Sequence, residues 1–434
     1  MSSGQGSGSG PVPADVSATA QARTAAAFAR RTLSGRVLSA TLRVVSDLDI
    51  AEESTADAFL LALQHWPQGG VPTSVEAWLI TAARRRAVDR VRRAQLARRT
   101  LVSMASSWSA MAEPADVIAE AAVVGDDELR MVVLCCDPRL SVDDQVALTL
   151  RLACGISTAG IAAAHGISKG AMAARLTRAK AKLAAGGPRL DLPDDGTVDA
   201  RLPAVARIVY LAFTLGHTRA DGVELTDDDL ADRAQYLARV LHALRPAVPA
   251  FTGLLALILL TRSRSAGRMD ADGAQVLLQD ADRTLWDRAL IDEGLALLAG
   301  ENASAATDPL VLKALIAAEH DRATSFGATD WSRVVQWYSR LLHVEPSPTV
   351  AVGRCVALSH LAGPIVGLND LDEVLALGVL QHYPYAFAAR AQLLGRLSRR
   401  LEAASWWAKA ADLARTTAER EYFDGQARLA SQGS

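Results

Sequence analysis

Two short segments concentrate positive charge in a chain whose formal net charge is only -2. Between Arg84 and Arg99 there are eight arginines and one acid, Asp89, and between Lys169 and Lys182 there are five cations and no acid. Guanidinium and ammonium groups clustered in this way neutralise phosphates, so the pattern is typical of a modular nucleic-acid binder. A pair of solvated helix faces would give the same charges, and for either segment alone this alternative stays open.

The second basic segment lies in a helix-turn-helix pattern over residues 157–180. Ala162 and Ala163 keep the first helix small where the second crosses it. Gly166 supplies a left-handed turn, and Ile167 is predicted to plug the space between the two helices. An ordinary helical hairpin with a basic face is the alternative.

The second helix of this pattern is predicted to point its N-terminal turn into a DNA groove. Ser157 and Ser168 are expected to cap the two helices, and Met172 and Leu176 to face inward. The residues expected toward DNA are Lys169, Ala173, Ala174, Arg175, Thr177, Arg178 and Lys182, with Lys180 along the rim. Arginines there can neutralise phosphates, and Lys169 can reach base edges or the backbone.

Residue patterns for enzymatic chemistry are absent from the sequence. The cysteines at 135, 136, 154 and 355 form no C-x-x-C pair, and no Walker or H-E-x-x-H motif occurs. Residues 269–273 hint at a calcium loop but fail the EF-hand spacing. We therefore expect a protein that is not an enzyme and uses no cofactor or metal. An enzyme with a helical lid is the alternative from another class.

The composition favours helix almost everywhere, because Ala, Leu and Arg dominate and no stretch alternates as a half-buried strand would. The predicted fold class is therefore all-α. The predicted parts are a disordered tail (1–20), a first helical domain (21–99), a linker (100–125), a helix-turn-helix domain (126–187) and a C-terminal helical-repeat domain (190–434).

Local breaks divide these parts further. Residues 67–74 are predicted to interrupt the first domain, with Ser74 as the N-cap of the next helix. Asp137-Pro138 and Gly155 break the second domain, and the Gly-Gly-Pro sequence at 186–188 closes it. Three similar stretches, centred near 338, 372 and 407, follow one another at intervals of 34 and 35 residues. This spacing matches the tetratricopeptide period.

Three segments of the sequence carry a resemblance to a known family. The acidic amphipathic segment 47–63 and the arginine-rich segment 76–93 together resemble the second conserved region of extracytoplasmic-function sigma factors, and residues 157–180 resemble their fourth region. The tail is similar to a subgroup of these factors with a fused C-terminal tetratricopeptide-like domain. The stretches that match this subgroup are residues 134–138, 276–287 and 346–348.

The resemblance implies two partners, core RNA polymerase (its beta and beta-prime subunits) and promoter DNA. It places the helix from Ala51 to Leu63 on the clamp-helix coiled coil of the largest subunit. The residues implied at or near that contact are Glu52, Glu53, Asp57 and Phe59. It also implies that the loop 68–74 holds a flipped base of the minus-ten element, while the recognition helix reads the minus-thirty-five element. The residues implied beside the opened DNA are Trp78, Arg84, Arg85, Arg86, Arg90, Arg92 and Arg93.

General physical principles agree with this assignment of the two promoter elements to two separate segments. A flipped base needs a snug pocket and a cationic path for the single strand. Promoter elements two helical turns apart are separated by about 70 Å, and the thirty residues from 96 to 125 could span about 100 Å when extended. A position in the core is the alternative for Trp78.

The sequence departs from the family pattern at several positions. Gly160 stands where the family usually has Glu, which is expected to loosen the first helix of the motif. Ala173 and Ala174 stand where many members have longer polar side chains, so base readout is expected to be sparse. Asp137 replaces the usual His after the Cys-Cys pair, which argues against a metal there, and Arg85 stands where many members have Asn.

The tail of about 245 residues is expected to regulate or support the factor rather than to read DNA. Stacked repeats form a solenoid with a concave face, which suits a protein partner or the N-terminal half of the chain itself. Residues 279–287 are the first candidate for an internal contact, and a buried structural network is the alternative. The main rival hypothesis is a DNA-binding regulator that never engages polymerase, and the segments from 51 to 93 argue against it.

The location is expected to be cytoplasmic, with no membrane partner. The first ten residues contain no apolar signal-peptide core. The longest apolar run, Phe251 to Leu260, has half the length that a bilayer span needs.

Overall fold

The computed structural model describes residues 14–102, 124–165, 167–185, 194–217, 227–268, 276–299, 307–414 and 417–432. Within these residues every regular element is a helix, which confirms the predicted all-α class. The chain forms two compact units, residues 1–212 and 213–434. Several predicted features lie outside the described residues: the tail to residue 13, the linker from 103 to 123, Gly166, the Gly-Gly-Pro sequence at 186–188, and residues 269–273.

The first unit begins with three packed helices, α1 (Ala14–Val45), α2 (Leu48–Gly69) and α3 (Val75–Val102). Each of the three contacts the other two. Their shared core includes Val37, Phe59, Trp66 and Leu79. Helix α1 begins at Ala14, so the prediction of a disordered tail is wrong for residues 14–20. This stretch is rich in alanine, the strongest helix former.

The turn between α2 and α3 is shorter than predicted. Helix α2 continues through Pro67 to Gly69, so the break begins at Gly70 rather than at Pro67. The last turn is held by a hydrogen bond from the Gly70 N–H to the carbonyl of buried Trp66, and Gly70 adopts a positive φ of 79°. Ser74 caps α3 as predicted, because its hydroxyl accepts a hydrogen bond from the Ala77 N–H at 3.4 Å.

A second group of helices in this unit carries the helix-turn-helix. It consists of α4 (Val124–Cys135), α5 (Val142–Leu148), a π-helical segment (Thr149–Ala153), α6 (Thr158–Ala164) and α7 (Lys169–Ala184). The π segment ends in a bond from the Cys154 N–H to the Thr149 carbonyl, and the chain then turns at Gly155, whose φ is +67°. Ser157 and Ser168 cap α6 and α7, as their positions predicted.

Helix α8 (Asp195–His217) follows, and one side chain of its first half, Arg201, contacts α4 and the turn after it. Arg201 of α8 donates a hydrogen bond to the Val133 carbonyl at 3.2 Å and lies 3.6 Å from the carboxylate of Asp137. Val198 and Val205 on the same helix are fully buried. This helix is therefore part of the structure around the helix-turn-helix, although it lies after the predicted end of that domain.

The second unit is a series of helices packed on their sequence neighbours. They are α9 (Asp227–Leu244), α10 (Pro249–Arg262), α11 (Arg288–Ala299), α12 (Pro309–Arg322), α13 (Trp331–Val344), α14 (Pro348–Leu361), α15 (Pro364–Ala376), α16 (Pro384–Arg396), α17 (Arg400–Asp412) and α18 (Thr417–Gln432). The three predicted repeat stretches fall in α13, α15 and α17. Each is followed by a partner helix that packs against it, which is the architecture of a helical repeat.

The apolar run of α10 lies in the core of this unit. Phe251, Leu254 and Ile258 are fully buried, and Gly253 allows the backbone of α12 to approach closely, since a Cβ there would lie 2.5 Å from the Val311 nitrogen. Among the described residues, no helix has both the length and the apolar character needed to cross a bilayer.

Candidate nucleic-acid interface

Helix α7 separates its apolar and polar residues as predicted. Met172 and Leu176 are buried, together with Ala179 and Leu183. The exposed residues on the opposite side are Lys169, Ala173, Ala174, Thr177, Arg178 and Lys182. The Ser168 hydroxyl accepts a hydrogen bond from the Ala171 N–H at 3.2 Å, which fixes the first turn of the helix. The helix therefore presents a capped N-terminal turn and a cationic face.

The contact between α6 and α7 differs in detail from the prediction. Ile167 is 36% exposed and does not plug the two helices, and Ala163 is exposed as well. Ile161 and Ala162 are buried instead, and Gly160 is buried within an intact α6 rather than loosening it. Helix α6 has only seven residues, and its buried residues are the three consecutive positions 160–162.

Arg175 is drawn toward acids of its own domain. Its guanidinium lies 3.8 Å from Asp143 and 3.7 Å from Asp144 on α5. Lys182 lies 4.0 Å from Asp144. Arg178, three residues after Arg175, is exposed. The two arginines that were predicted to act alike on phosphates thus have different surroundings.

A cleft of about 630 Å³ opens between the end of α2 and the start of α3. It is lined by Leu61, His65, Pro72, Ser74, Ala77, Trp78, Thr81, Ala82, Arg85, Arg86 and Asp89. Trp78 packs edge-to-face on Trp66, with 5.6 Å between ring centroids, and remains half-exposed toward the cleft. Trp78 therefore contacts the core and also lines the cleft, and its position beside opened DNA stays a prediction.

The arginines of α3 do not form one uniform surface. Arg85 and Arg86 line the cleft, and Arg92 and Arg93 are exposed further along the helix. Arg84 is directed elsewhere, because its Nε donates a hydrogen bond to the Ala40 carbonyl of α1 at 3.2 Å.

Arg90 is held by carboxylates of α2. It donates to Glu53 at 2.7 Å and to Asp57 at 2.8 Å. The hydrogen bond that Arg90 donates to Asp57 is the largest cause of the raised pKa of Arg90. Of the predicted DNA-facing arginines, Arg84 and Arg90 thus contact protein groups in this structure.

The residues of α2 that were predicted to contact polymerase also differ from one another in exposure. Glu53 is exposed and Asp57 is half-buried, but Phe59 is only 8% exposed and belongs to the core. The prediction of Phe59 as a contact residue is therefore wrong. The apolar side chains on the outer face are Leu60 and Leu63, which are 56% and 43% exposed. Helical spacing from Glu53 could have identified them, since positions 53, 56, 60 and 63 follow one another at the three- and four-residue steps of one helix side.

The Cys-Cys pair at the end of α4 is a core element. Burial raises the pKa of the Cys136 thiol to about 12, and it raises the pKa of Cys135 as well. The carboxylate of Asp137 is engaged by Arg139 at 2.9 Å, and the hydrogen bond from Arg139 is the main reason for its lowered pKa. An acid at this position therefore joins α4, the following turn and α8.

Residues 276–287 form a structural network within the second unit. Arg283 donates to the carbonyls of His320 and Ala323 at 2.6 and 2.7 Å. The guanidinium groups of Arg283 and Arg264 both lie over the ring of Trp286, at 4.5 and 5.4 Å from its centroid. This stretch thus contributes Arg283 and the buried ring of Trp286 to a network inside the second unit.

The helix-turn-helix and the cleft-bearing helical bundle correspond to two conserved regions of the Sigma-70 family. The family model "Sigma-70 region 2" matches residues 30–97, "Sigma-70, region 4" matches residues 130–183, and a family of unknown function, DUF6596, matches residues 201–302. The chain belongs to the extracytoplasmic-function sigma factors, with a helical domain fused at its C-terminal end.

Individual proteins are also similar to this chain. An uncharacterized protein of Rhizobium meliloti is 38% identical over 89% of this chain and 92% of its own. The ECF RNA polymerase sigma factor SigK of Mycobacterium tuberculosis is 36% identical over 98 residues, which are 22% of this chain and about half (51%) of SigK. The crystal structure of yeast Tom70 is similar at a TM-score of 0.32 and 13% identity, over 96% of this chain and 87% of that one.

Proposed function

We propose that this sigma factor binds core RNA polymerase through the outer face of α2 and directs it to promoters that its two modules recognise. One observation carries this proposal. The same chain places a capped, cationic recognition helix and an arginine-lined cleft in the order that promoter recognition requires. A regulator that never engages polymerase has no use for the cleft.

The polymerase contact is assigned to Glu53, Asp57, Leu60 and Leu63. Two exposed leucines beside acidic groups form a small amphipathic surface, and such apolar side chains dominate the energy of helix-docking contacts. The partner surface is the clamp-helix coiled coil of the beta-prime subunit. Glu52, which was included on family grounds, directly precedes Glu53 and has contacts of its own, described below.

The cleft is assigned to a flipped base of the minus-ten element. Trp78 offers an aromatic surface for stacking, and base–aromatic stacking contributes about 1–3 kcal/mol per base. Arg85 and Arg86 border the cleft and can track the phosphates of the separated strand, with Arg92 and Arg93 continuing the path along α3. Arg84 and Arg90 position α3 against α1 and α2 instead.

Helix α7 is assigned to the minus-thirty-five element. Its cap directs the first turn toward the groove, where Lys169 is the one long side chain near the base edges. Ala173, Ala174 and Thr177 give apolar or short contacts, so phosphate contacts by Arg178 and Lys182 supply most of the affinity.

The C-terminal domain is assigned a supporting role. Helix α8 contacts α4 through Arg201, so part of the region after residue 187 stabilises the helix-turn-helix domain directly. Residues 195–212 belong to the same compact unit as the helix-turn-helix, so cutting the chain after residue 187 would remove part of that unit. The helical repeats beyond α8 are the surface for a protein partner.

Run-off transcription with core polymerase on the factor's own upstream region tests the proposal. The wild-type protein should give a defined transcript, and a Leu60→Glu, Leu63→Glu double variant should lose both the transcript and co-purification with core. Leu429→Glu, at a leucine on α18 that is more exposed than either, is the control and should behave as wild type. Normal co-purification of the folded double variant would refute the contact, and absence of any polymerase binding by the wild type would support the rival regulator.

A further inference from the structure

Two parts of the first unit that are distant in sequence meet at a cluster of charged side chains. Glu52 on α2 accepts hydrogen bonds from Arg151 of the π segment at 2.6 Å and from Lys180 of α7 at 2.8 Å. Lys180 also donates to Asp49 at 2.7 Å. We call these four residues, Asp49, Glu52, Arg151 and Lys180, the clasp.

The clasp is more than a contact between exposed side chains. Glu52 is 16% exposed and Lys180 is 20% exposed, so much of both groups is removed from water. Burial alone would lower the pKa of Lys180, but the hydrogen bonds to Asp49 and Glu52 outweigh it and leave the pKa raised. Charge-assisted hydrogen bonds with this geometry are stronger than ordinary surface ion pairs.

Close backbone packing accompanies the clasp. A Cβ at Gly35 of α1 would lie 2.7 Å from the Ala153 carbonyl oxygen, and a Cβ at Gly155 would lie 2.5 Å from the Ser34 hydroxyl. Two glycines thus allow α1 to lie directly against the π segment. The promoter-binding modules are therefore in direct contact through both side chains and backbone.

This arrangement is incompatible with binding both promoter elements at once. Helix α7 has 16 residues and is about 24 Å long, at about 1.5 Å per residue. The two elements are separated by about 70 Å along the DNA, at about 34–36 Å per helical turn. While Lys180 contacts Glu52, α7 cannot reach a site that far from α2. The contact must break when the factor occupies a promoter.

We propose that the clasp holds the unbound factor in a closed state, in which α7 is kept against the N-terminal end of α2, and that the clasp must open before both modules can engage a promoter. The requirement that the clasp opens for promoter binding rests on the proposed function, but the closed state itself can be measured without polymerase. Opening releases Lys180 toward DNA phosphates and exposes the acidic end of α2. Arg151 belongs to neither proposed interface, and its other hydrogen bond, to the Ile156 carbonyl at 3.2 Å, lies within its own module. Changing Arg151 therefore opens the clasp without removing a residue assigned to DNA or polymerase.

The test measures the distance between the modules in the full-length protein. Spin labels are placed on cysteines introduced at the exposed positions Gln64 and Ala181, and the four native cysteines are buried. Double electron–electron resonance should show a narrow short-distance population for the wild type. Arg151→Gln should shift the ratio of closed to open molecules by about tenfold toward longer distances, given the strength of hydrogen bonds between charged groups. Salt at about 1 M, where the screening length is about 3 Å, should act in the same direction.

Three further variants make the result decisive. Arg139→Gln removes the same charge from the same module but pairs only within it, so its distances should match the wild type. Glu52→Gln should open the clasp as Arg151→Gln does, which covers the case in which the arginine variant fails to fold. Arg151→Lys should restore part of the short-distance population. Circular dichroism confirms that each variant is helical.

The outcomes separate this inference from the proposed function. Only long, broad distances in the wild type, or wild-type distances in folded Arg151→Gln and Glu52→Gln proteins, would overturn the closed state. A distance shift together with a failed run-off assay would leave the closed state in place and refute the polymerase assignment. A transcript in the run-off assay together with unchanged distances in the variants would refute the closed state and leave the polymerase assignment in place.

Discussion

Replacing Arg178 with alanine should reduce the salt dependence of DNA binding by one phosphate contact. Arg178 is exposed on the DNA-facing side of α7, whereas the guanidinium of Arg175 already lies 3.7–3.8 Å from Asp143 and Asp144. Each phosphate contact contributes about -0.9 to the slope of log affinity against log salt. Arg178→Ala should therefore flatten the slope by about 0.9, which is about 3.5-fold in affinity over a fourfold change in salt.

Arg175→Ala should change the slope less, because this side chain must give up its contacts with α5 acids before it can reach a phosphate. Asp144→Asn should strengthen binding, since it removes one competitor for Arg175. The assay is fluorescence anisotropy of the full-length protein on a duplex from its own upstream region, titrated with NaCl. Arg139→Ala, which loses the same charge outside α7, is the control. The docking of α7 is refuted if Arg178→Ala retains the wild-type slope, or if the control loses as much.

Further predictions concern the cleft, the tail and two buried acids. Trp78→Ala should leave duplex binding intact but lower the yield of open complexes, measured by permanganate reactivity of unpaired thymines. Truncation after Gly187 removes α8 and should give an insoluble or inactive protein; full wild-type transcription from the truncated factor would contradict a supporting tail. Asp321→Ala leaves the Arg264 guanidinium without its buried partner at 2.6 Å and should destabilise the protein by about 3–5 kcal/mol in chemical denaturation, more than Asp321→Asn does. The lowered pKa of Asp137 means that its ion pairs stabilise the protein above the unfolded pKa of about 3.9. That stability should be lost as the pH falls through the folded pKa, and Asp137→Asn should weaken the acid dependence of the melting temperature.

Features that depend on local sequence were predictable. The caps at Ser157 and Ser168 follow from serine before a helical pattern, and the inward positions of Met172 and Leu176 follow from their spacing of four residues. The repeat architecture of the second unit follows from a period of 34–35 residues. Each of these signals is contained within one helix or one repeat.

Features that depend on which face of a helix is buried were harder to predict from the sequence. Phe59 was assigned to a surface by family resemblance, but it packs in the core beside Trp66. Ile167 was assigned to the interior from its place in the motif, yet Ile161 already fills that space. The contacts of Arg84 with α1 and of Lys180 with α2 join residues at least 44 positions apart, and no local pattern encodes such pairs.

The two glycines between α1 and the π segment have an evolutionary consequence. Because a methyl group at position 35 or 155 would collide with Ala153 or Ser34, no relative that carries alanine at either site can place these elements at the same separation. In an alignment of relatives, glycine at 35 and 155 should therefore covary with the acid at 52 and the cations at 151 and 180. Relatives that lack the two glycines should also lack selection for the charges at 52, 151 and 180. The residues at 35 and 155 would therefore indicate whether those charges are retained.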